Sequence, residues 1–447
     1  MIPVVPFFEV NRLYRRHGPE FVRLLQPQYG TLFQTGLRLV PGLPNLYFLL
    51  DADDIYALLV KQKPMLEKSR FTRSMLQSSF GNGLFTSRGE HWRRQRKLMQ
   101  PAFHHAQIGR YATRIVQHTE AMLTTWHDGR IVAIDEAMHA LTFTIAVDAL
   151  FSADASQNVT LVKQAMHDLG QGLITQNQSP LLILLPEWIP LPALRQKRRG
   201  VRALNRLVQQ MIAERRTLGE AASPSDLLST LLFTRDEDSG ETMSDQQLRD
   251  ELVTLYIAGH ETTAVLLNWT WVMLSQHPDV AATLRAELVT VLGDRSPTFD
   301  DLPQLPVTNA IIKEVLRLYP PVWFFFREAP DGLTIRGEDI PAGSTLAMFP
   351  YVIHRDSRWY DAPDTFRPAR WLEGLEQSLP KGAYFPFGLG PRTCIGNGFA
   401  LMEGQLILAT IAQQFRLQQL NEAKMQPAPT MSLAEPVYVR LHCAAKS

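Results

Sequence analysis

Residues 387–396 of the chain read FGLGPRTCIG and surround Cys394, one of only two cysteines in 447 residues. A buried thiolate is unfavourable unless hydrogen-bond donors or a cation stabilise it. Gly390 and Gly396 allow the backbone to take a positive φ or to approach closely, and Pro391 stiffens the turn between them. The pattern therefore predicts a preformed loop that holds the Cys394 thiolate against a metal ion such as iron.

A lone buried cysteine beside a Gly-Pro turn is more often a packing residue. The spacing argues otherwise, because five specified positions coincide by chance in only about one in several thousand chains of this length. The pattern Phe-x-x-Gly-x-Arg-x-Cys-x-Gly resembles the haem-binding signature of the cytochrome P-450 monooxygenases. This resemblance implies that Cys394 ligates the iron of haem b, and that Phe387, Gly388, Arg392 and Gly396 lie beside the cofactor.

The composition predicts a single globular domain over residues 1–447. The chain is 45% hydrophobic and 20% charged, which is enough to bury a large core and a cofactor. Its polar stretches at 219–225 and 236–240 are short enough to be loops between helices rather than linkers. A net charge of +1 argues against a nucleic-acid-binding protein.

The cysteine content and the N-terminal sequence indicate where in the cell the protein is located. Cys394 and Cys443 alone cannot build a disulfide framework, which fits a reducing environment such as the cytoplasm. Residues 1–8 are apolar but are followed by Glu9 and Arg12, far short of the roughly 20 residues that span a bilayer. We expect a cytoplasmic monomer without a transmembrane anchor, and weak peripheral membrane contact is left open.

The hydrophobic pattern indicates a small amount of sheet and a large amount of helix. Residues 32–39 and 45–50 have the pattern of paired strands around the turn at 41–42, and residues 53–60 have a helical pattern. Most of the remaining chain is predicted to be helical. The resemblance implies a mainly α fold with small β-sheets, namely the single triangular haem domain of the cytochrome P-450 fold.

The clearest helix begins after Ser244, which forms a capping box with Gln247, and extends to about Gln276 before Pro278. Near its middle, the segment AGHETT at 258–263 places small and polar residues where a buried helix usually carries large apolar ones. A slim notch that could accept a flat ring is therefore predicted on this helix.

The face with the notch includes Leu255, Ala258 and Thr262. The segment around it resembles the oxygen-activation motif of the same family, which implies that Glu261 and Thr262 deliver protons to dioxygen and that Ala258 lies against the haem. The alternative is a packing glycine followed by two threonines that only bond back to the helix.

Glu314 and Arg317 lie three residues apart in a predicted helix over 308–318, where they can pair on one face. Most such pairs are surface contacts that contribute a few tenths of a kcal/mol. The later segment FRPARW at 366–371 resembles the family segment whose second arginine completes a buried Glu-Arg-Arg network, a role that falls to Arg370. Such a network would hold the cysteine loop against the core.

A basic helix is predicted around GEHWRRQRK at 89–97. Trp92 and Arg96, four residues apart, resemble the family pattern for a helix that reaches a haem propionate. By the same resemblance, His91 and Arg327 are further contacts of the cofactor. The remaining cations of this helix are Arg93, Arg94 and Lys97. They form either a solvated basic face or a docking patch for an acidic electron donor.

The sequence contains no Gly-x-Gly-x-x-Gly and no phosphate-binding loop, so electrons are expected from a separate ferredoxin or flavodoxin with its reductase. The resemblance implies that the enzyme activates dioxygen and inserts one oxygen atom into a C-H bond of its substrate. Two alternatives remain: a peroxide-using or non-oxygenating haem-thiolate enzyme, and a haem-binding sensor without catalysis.

Apolar side chains before the Trp92 helix, in the long helix, after Pro321 and near the C-terminus are predicted to line a substrate pocket. As a group they favour a hydrophobic ligand such as a fatty acid, a terpenoid or a steroid. Any single one can instead be a core residue. The predicted pocket residues are Phe71, Phe80, Phe85, Leu255, Ala258, Val322, Trp323, Phe324 and Leu433.

Overall fold

The computed structural model of the chain describes residues 1–36, 45–61, 66–151, 164–165, 168, 189, 191–223, 226–237, 239–426 and 430–444. Its residues group into two compact units. The first unit contains Met1–Ser69, Ile108–Phe143 and His260–Ser447, and the second contains Arg70–Gln107 and Thr144–Gly259. The single domain expected from the sequence stays a prediction.

The described residues are mainly helical, as the sequence predicted. None of the described helices is long and apolar enough to cross a bilayer. In chain order the α-helices are α1 (Phe7–His17), α2 (Phe21–Tyr29), α3 (Ala52–Tyr56), α4 (Arg70–Phe80), α5 (Gly89–Met99), α6 (His105–Leu123), α7 (Ile134–Phe151), α8 (Pro192–Leu218), α9 (Leu227–Phe233), α10 (Asp245–Gln276), α11 (Pro278–Leu292), α12 (Pro306–Leu318), α13 (Pro350–Ile353), α14 (Ala369–Leu372), α15 (Leu375–Ser378) and α16 (Asn397–Gln414).

The strands of the described residues belong to small sheets of the first unit. They are β1 (Val4–Pro6), β2 (Leu32–Gly36), β3 (Leu46–Leu49), β4 (Glu67–Lys68), β5 (Ile131–Ala133), β6 (Phe325–Ala329), β7 (Leu333–Ile335), β8 (Glu338–Ile340), β9 (Ser344–Met348), β10 (Phe415–Gln419) and β11 (Tyr438–Cys443). One sheet has the order β1-β2-β3-β9-β6-β4, a second has β10-β11-β5, and β7 pairs with β8.

The predicted strand pair at 32–50 is confirmed. β2 and β3 are antiparallel, with Leu32 opposite Leu49 and Thr35 opposite Leu46. β3 is one residue shorter at each end than predicted, and residues 37–39 and the turn at 41–42 lie outside the described residues. The helix predicted over 53–60 is α3, which continues as a π-helical turn over Ala57–Lys61.

The long helix α10 is also confirmed. The Ser244 backbone N-H donates to Gln247 Oε1 at 2.9 Å, and the Gln247 N-H donates to Ser244 Oγ at 3.2 Å, which is the predicted capping box. The helix contains 32 residues, so it is about 48 Å long at 1.5 Å per residue. It ends at Gln276, and Pro278 begins α11.

Helices α12 and α16 form much of the core of the first unit. Ile311, Ile312 and Val315 of α12 are fully buried, as are most residues of α16. A Cβ added to Gly404 of α16 would lie 3.3 Å from Leu266 and 3.5 Å from Ile312, so only a very small residue fits between these helices. Because α16 begins at Asn397, this packing fixes the end of the cysteine loop.

Candidate active site

The cysteine loop is a series of tight turns closed by its own backbone. The Cys394 N-H donates to the Phe387 carbonyl at 2.9 Å, and the Thr393 N-H donates to the Gly390 carbonyl at 3.0 Å. The Thr393 hydroxyl donates to the same carbonyl at 2.7 Å. Cys394 itself is exposed, so this rigid loop presents its sulfur to a ligand.

Two glycines of the loop have the left-handed conformation that favours glycine: Gly388 at φ +75° and Gly390 at φ +71°. A Cβ on Gly390 would also lie only 2.0 Å from the Leu59 carbonyl oxygen. Gly396 has a φ of −90°, which any residue can adopt, so the predicted positive φ falls at Gly388 and not at Gly396. The reason is that the chain already enters α16 at Gly396.

Three cations lie together beside the loop, all in the first unit. Arg392 forms an ion pair with Glu67 at 2.6 Å. Burial and, less strongly, the nearby charge of Arg392 lower the pKa of Arg327 to about 9, while Glu67 opposes the change. Burial, followed by the charges of Arg327 and Arg392, also holds the pKa of Lys68 well below its usual value, whereas Cys394 raises it.

This group of three cations and one carboxylate carries two excess positive charges when all are ionised. Arg327 is only 4% exposed, and a buried excess charge is unfavourable without a partner. A haem carries two propionates, so its anionic edge matches the excess charge, and its iron matches the exposed Cys394 thiolate. The residues present therefore fit a haem. Lys68 was missed from the sequence because it lies in a two-residue strand without a motif.

Glu314, Arg317 and Arg370 meet in the interior of the first unit. Arg317 donates to both oxygens of Glu314, at 2.8 and 2.9 Å, and Arg370 Nε donates to Glu314 Oε1 at 3.1 Å. Trp371 Nε1 and the Arg367 backbone N-H also donate to the Glu314 carboxylate, at 2.8 and 2.9 Å. Burial alone would raise the pKa of Glu314, but the hydrogen bonds and charges of Arg317 and Arg370 outweigh it and lower the pKa.

A chain of hydrogen bonds joins this network to the cysteine loop. Arg317 Nη1 donates to the His354 carbonyl at 2.7 Å, and the His354 ring accepts the Phe385 backbone N-H at 2.9 Å. Burial, reinforced by the charges of Arg317 and Arg355, lowers the pKa of His354 to about 3, so the ring is neutral and can accept. Sequence reasoning missed His354 because its role depends on contacts far apart in the chain.

The acid predicted in α10 is held by a residue from the C-terminal segment. The Thr430 hydroxyl donates to Glu261 Oε1 at 2.8 Å. Burial lowers the pKa of nearby His139, while the charges of Glu261 and Asp135 oppose that change. Thr262, beside Glu261, is half-buried. Thr430 carries no sequence signal, since it follows residues 427–429 in a segment without a recognisable pattern.

A second buried acid lies behind this part of α10. Glu403 of α16 hydrogen-bonds Thr263, and burial raises its pKa to about 8 against the effect of that bond. Glu403 therefore keeps its proton to a higher pH than an ordinary glutamate and lies next to the predicted proton-delivery pair. Sequence reasoning missed it because a single Glu in an apolar helix has no distinctive spacing.

The predicted notch face of α10 is uneven. Ala258 and Gly259 are exposed and Leu255 is half-buried, whereas Leu266 is fully buried. A Cβ added to Gly259 would meet no atom of the described residues within 4 Å, apart from its own helix backbone. The small residues therefore leave open space beside the helix, as a notch requires, while the face closes towards its C-terminal half.

The basic helix α5 belongs to the second unit. His91 Nε2 lies 3.1 Å from the Asn82 carbonyl, so this ring fixes a neighbouring loop. Trp92 and Arg96 are half-buried. Their predicted contacts with a haem propionate stay predictions.

The cations of α5 proposed as a docking patch are engaged in ion pairs within the second unit. Arg94 pairs with Glu241 at 2.9 Å and Lys97 with Glu237 at 3.4 Å. Arg93 pairs with Glu90. Acidic residues between 236 and 241 therefore neutralise part of the positively charged surface that the sequence predicted on α5.

Two acids of α10 hold the loop at 81–87 in the second unit. Asp250 Oδ2 accepts the Asn82 N-H at 2.7 Å, and Glu251 Oε2 accepts the Leu84 N-H at 2.8 Å. A Cβ on Gly81 would lie 2.2 Å from the Asp250 carboxylate, so the loop needs glycine there. Burial, with the charge of Asp250, raises the pKa of Glu251 to about 8 against the effect of the Leu84 bond.

We expect Glu251→Gln to remove a pH dependence of stability. The folded protein keeps the Glu251 proton between the ordinary pKa of 4.5 and about 8, so wild-type stability is complete below 4.5 and falls as pH rises through this window. Relative to wild type, the free energy of unfolding of the variant should rise by up to about 3 kcal/mol from pH 5 to pH 8. Denaturant unfolding at both pH values measures it.

The exposed Glu220 provides the control. Glu220→Gln should follow the wild-type pH profile. A Glu251→Gln profile parallel to wild type across this range would contradict a neutral, buried Glu251.

The predicted pocket residues are divided between the two units. In the second, Phe80 is buried and its ring lies 5.7 Å from that of Phe85, which is 36% exposed. The side chain of Phe71 lies outside the described part of the chain. In the first, Phe324 and Leu433 are half-buried and Val322 is exposed.

Trp323 is buried among aromatic rings. It is 3% exposed and packs among the rings of Tyr14, Phe324 and Phe349, with the Phe324 centroid 4.4 Å away. These contacts fit the core alternative, and its place in a substrate pocket stays a prediction.

A family model described as Cytochrome P450 matches residues 3–441 of the chain. The chain therefore belongs to the cytochrome P450 family, whose members use haem. It is an oxidoreductase of the monooxygenase type, the activity for which its relatives are named.

The relatives and solved structures extend the match over most of the chain. Cyclooctat-9-en-7-ol 5-monooxygenase of Streptomyces melanosporofaciens is 37% identical, over 75% of this chain and 73% of the relative. Pentalenene oxygenase of Streptomyces avermitilis is 35% identical, over 82% of this chain and 81% of the relative. The crystal structure of the cytochrome P450DA heme domain matches with a TM-score of 0.86 at 27% identity, covering 100% of this chain and 98% of that chain.

The chain's own residues divide the chemical work. When bound, haem supplies the dioxygen chemistry, and thiolate ligation tunes it towards oxygen-oxygen cleavage. A rigid loop presents Cys394, which would ligate the iron, and Arg327 and Arg392 would provide charge for the anionic edge of the cofactor. The Glu261 carboxylate lies beside Thr262 in the chain and accepts the Thr430 hydroxyl.

Proposed function

We propose that this enzyme hydroxylates a C-H bond of a cyclic terpenoid, using haem b ligated by Cys394 and electrons from a separate ferredoxin or flavodoxin in the cytoplasm. The observation that carries the substrate class is the match to two enzymes named for cyclooctat-9-en-7-ol and pentalenene, at 37% and 35% identity. Both names denote cyclic terpenoids.

The chemistry of the predicted pocket residues supports this choice. Phe80, Phe85, Leu255, Phe324 and Leu433 are all uncharged, so none of them could neutralise the carboxylate of a fatty acid. Aromatic side chains also favour a compact ring system, which loses little conformational entropy on binding.

Haem b rather than a covalently attached haem follows from the cysteines. Attachment of haem through thioether bonds uses a Cys-x-x-Cys-His motif, and the sequence has only Cys394 and Cys443. Extraction of the purified protein with acidic organic solvent should therefore release the haem. Haem that stays with the polypeptide would contradict this assignment.

Glu261 and Thr262 are the proposed proton-delivery pair. Glu261 has one oxygen bonded to Thr430, and its position one residue before Thr262 places an acid and a hydroxyl together on the same turn of α10. Turnover that requires a reductase and dioxygen, and does not proceed equally well with peroxide alone, would support this role over a peroxide-using enzyme.

We expect a cyclic terpenoid alcohol to convert the haem-loaded protein to the high-spin state with a saturable shift of the Soret band. A long-chain fatty acid should bind at least about tenfold more weakly, because burying its carboxylate without a cation is unfavourable. Optical titration with both ligands measures the difference. A shift with the fatty acid alone would overturn the terpenoid proposal.

Phe85→Ala provides the matched variant. Removing this ring should weaken the terpenoid affinity by about three- to tenfold. Phe8→Ala, at a phenylalanine that is 74% exposed near the N-terminus, should leave the titration unchanged.

A further inference from the structure

The Glu261 carboxylate contacts a pair of hydroxyl groups near the C-terminus. Thr430 Oγ1 lies 2.8 Å from Glu261 Oε1, and Ser432 Oγ lies 2.8 Å from Thr430 Oγ1. These three side chains belong to the same compact unit and are all half-buried. They form a continuous line of oxygen atoms that ends at the acid of α10.

The position of this hydroxyl pair is set by buried backbone contacts. The Met431 carbonyl, between the two hydroxyls, accepts Trp269 Nε1 at 2.6 Å, and the Met431 N-H donates to the Pro321 carbonyl at 3.1 Å. Met431 is fully buried. Because Trp269 and Glu261 belong to α10, the helix that carries the acid also fixes the segment that carries the hydroxyls.

The hydrogen bonds of the line have a defined direction. Thr430 has one hydroxyl hydrogen, and it is donated to Glu261. Thr430 can then only accept from Ser432, so the Ser432 hydroxyl is the donor of the second bond. Each donor therefore points towards the carboxylate, which is the arrangement that proton transfer to Glu261 needs.

We propose that Ser432 and Thr430 form a relay that returns a proton from solvent to Glu261. The relay rests on the proton-delivery role proposed for Glu261. A hydronium ion protonates Ser432 Oγ and leaves as water. The original Ser432 proton moves to Thr430 Oγ1, and the Thr430 proton moves to Glu261 Oε1. Both hydroxyls end with one hydrogen each, and the carboxylate ends as a carboxylic acid.

Ser432, at the outer end of the relay, is half-buried and lies close in the chain to exposed residues. Residues 434–436, immediately after Leu433, are exposed. The Ser432 carbonyl accepts the Gln426 N-H at 2.9 Å, so the backbone around Ser432 is ordered at this edge. Thr430 and Ser432 are thus positioning residues that act through Glu261.

We expect Thr430→Val to lower the product formed per electron pair consumed by about tenfold and to increase peroxide release. Its turnover should also show a larger solvent deuterium isotope effect, since proton supply becomes slower. Thr430→Ser keeps the hydroxyl and should restore most of the coupling. Thr119→Val is the matched control, because the Thr119 hydroxyl is buried and bonds only to the Ile115 carbonyl of its own helix.

An infrared measurement on the haem-loaded protein tests the contact without turnover. The carboxylate band that disappears in Glu261→Gln should shift in Thr430→Val and stay in place in Thr119→Val. Unchanged coupling and an unshifted band in Thr430→Val would overturn the relay. Failure of the proposed function can be distinguished from failure of the relay. If the proposed function is wrong, the wild-type protein itself forms no oxygenated product. The infrared measurement still reports on the contact between Thr430 and Glu261 in that case.

Discussion

Replacement of Glu314 by alanine is expected to leave little folded, haem-loaded protein. The Glu314 carboxylate is fully buried and accepts hydrogen bonds from Arg317, Arg370, Trp371 and the Arg367 backbone. Removing it leaves two guanidinium groups in the interior without their shared anion. Breaking a buried pair in this way costs about 3 to 5 kcal/mol.

This cost is large relative to the roughly 5 to 15 kcal/mol by which proteins of ordinary stability resist unfolding. The loss of Glu314 should also affect the cysteine loop. Arg317 donates a hydrogen bond to the His354 carbonyl, and the His354 ring accepts one from the Phe385 N-H. The yield of protein with the thiolate-haem spectrum, compared with total protein expressed, measures the effect.

The control is the exposed partner of the preceding residue on the same helix. Lys313 pairs with Glu376 at 2.6 Å, and Glu376 is 52% exposed. Glu376→Ala should therefore change stability by no more than about 1 kcal/mol and leave haem content unaffected. Normal expression and full haem content in Glu314→Ala would remove the structural role assigned to this network.

The sequence predicted those parts of the site that depend on short spacing. The cysteine loop, the capping box at Ser244 and the Glu314-Arg317 pair each lie within about ten residues, so their geometry follows from local backbone structure. Arg370 was reached only through the family resemblance, since nothing local links it to Glu314 across 56 residues.

The features that the sequence did not predict depend on the packing of distant segments. Lys68 approaches Arg327 because β4 pairs with β6, and Thr430 approaches Glu261 across 169 residues. The basic face predicted on α5 is partly neutralised for the same reason, because Arg94 meets Glu241 from a segment that has no local signal. Pairing of charges between distant segments cannot be read from residue spacing.

Replacement of Arg327 by methionine should have opposite effects on the haem-free and haem-loaded protein. Arg327 is buried and lies with Lys68 and Arg392 beside one carboxylate, that of Glu67. Without an anionic ligand, the desolvated charge and its repulsion from the other two cations are destabilising. Methionine preserves much of the packing volume, so the haem-free variant should gain about 1 to 3 kcal/mol in its free energy of unfolding.

The affinity for haem should fall in this variant, whereas the stability of the haem-free protein should rise. When all its groups are ionised, the cluster with Arg327 carries an excess of two positive charges that complements two propionates, and the variant retains only one. We therefore expect haem affinity to fall by about tenfold or more, which corresponds to about 1.4 kcal/mol or more. Transfer of haem to an excess of an apo-globin measures its release, and denaturant unfolding of the haem-free protein measures the stability.

Arg416→Met is the matched control, because Arg416 is exposed on β10. It should leave both quantities close to wild type. For Arg327→Met, the directions of the two changes are the informative result. A general packing defect would lower both the stability of the haem-free protein and the haem affinity. If Arg327 instead serves as a charge for an anionic cofactor, the substitution raises the stability and lowers the affinity. Loss of stability in the haem-free variant would therefore show that Arg327 contributes to packing more than to charge complementarity with the haem.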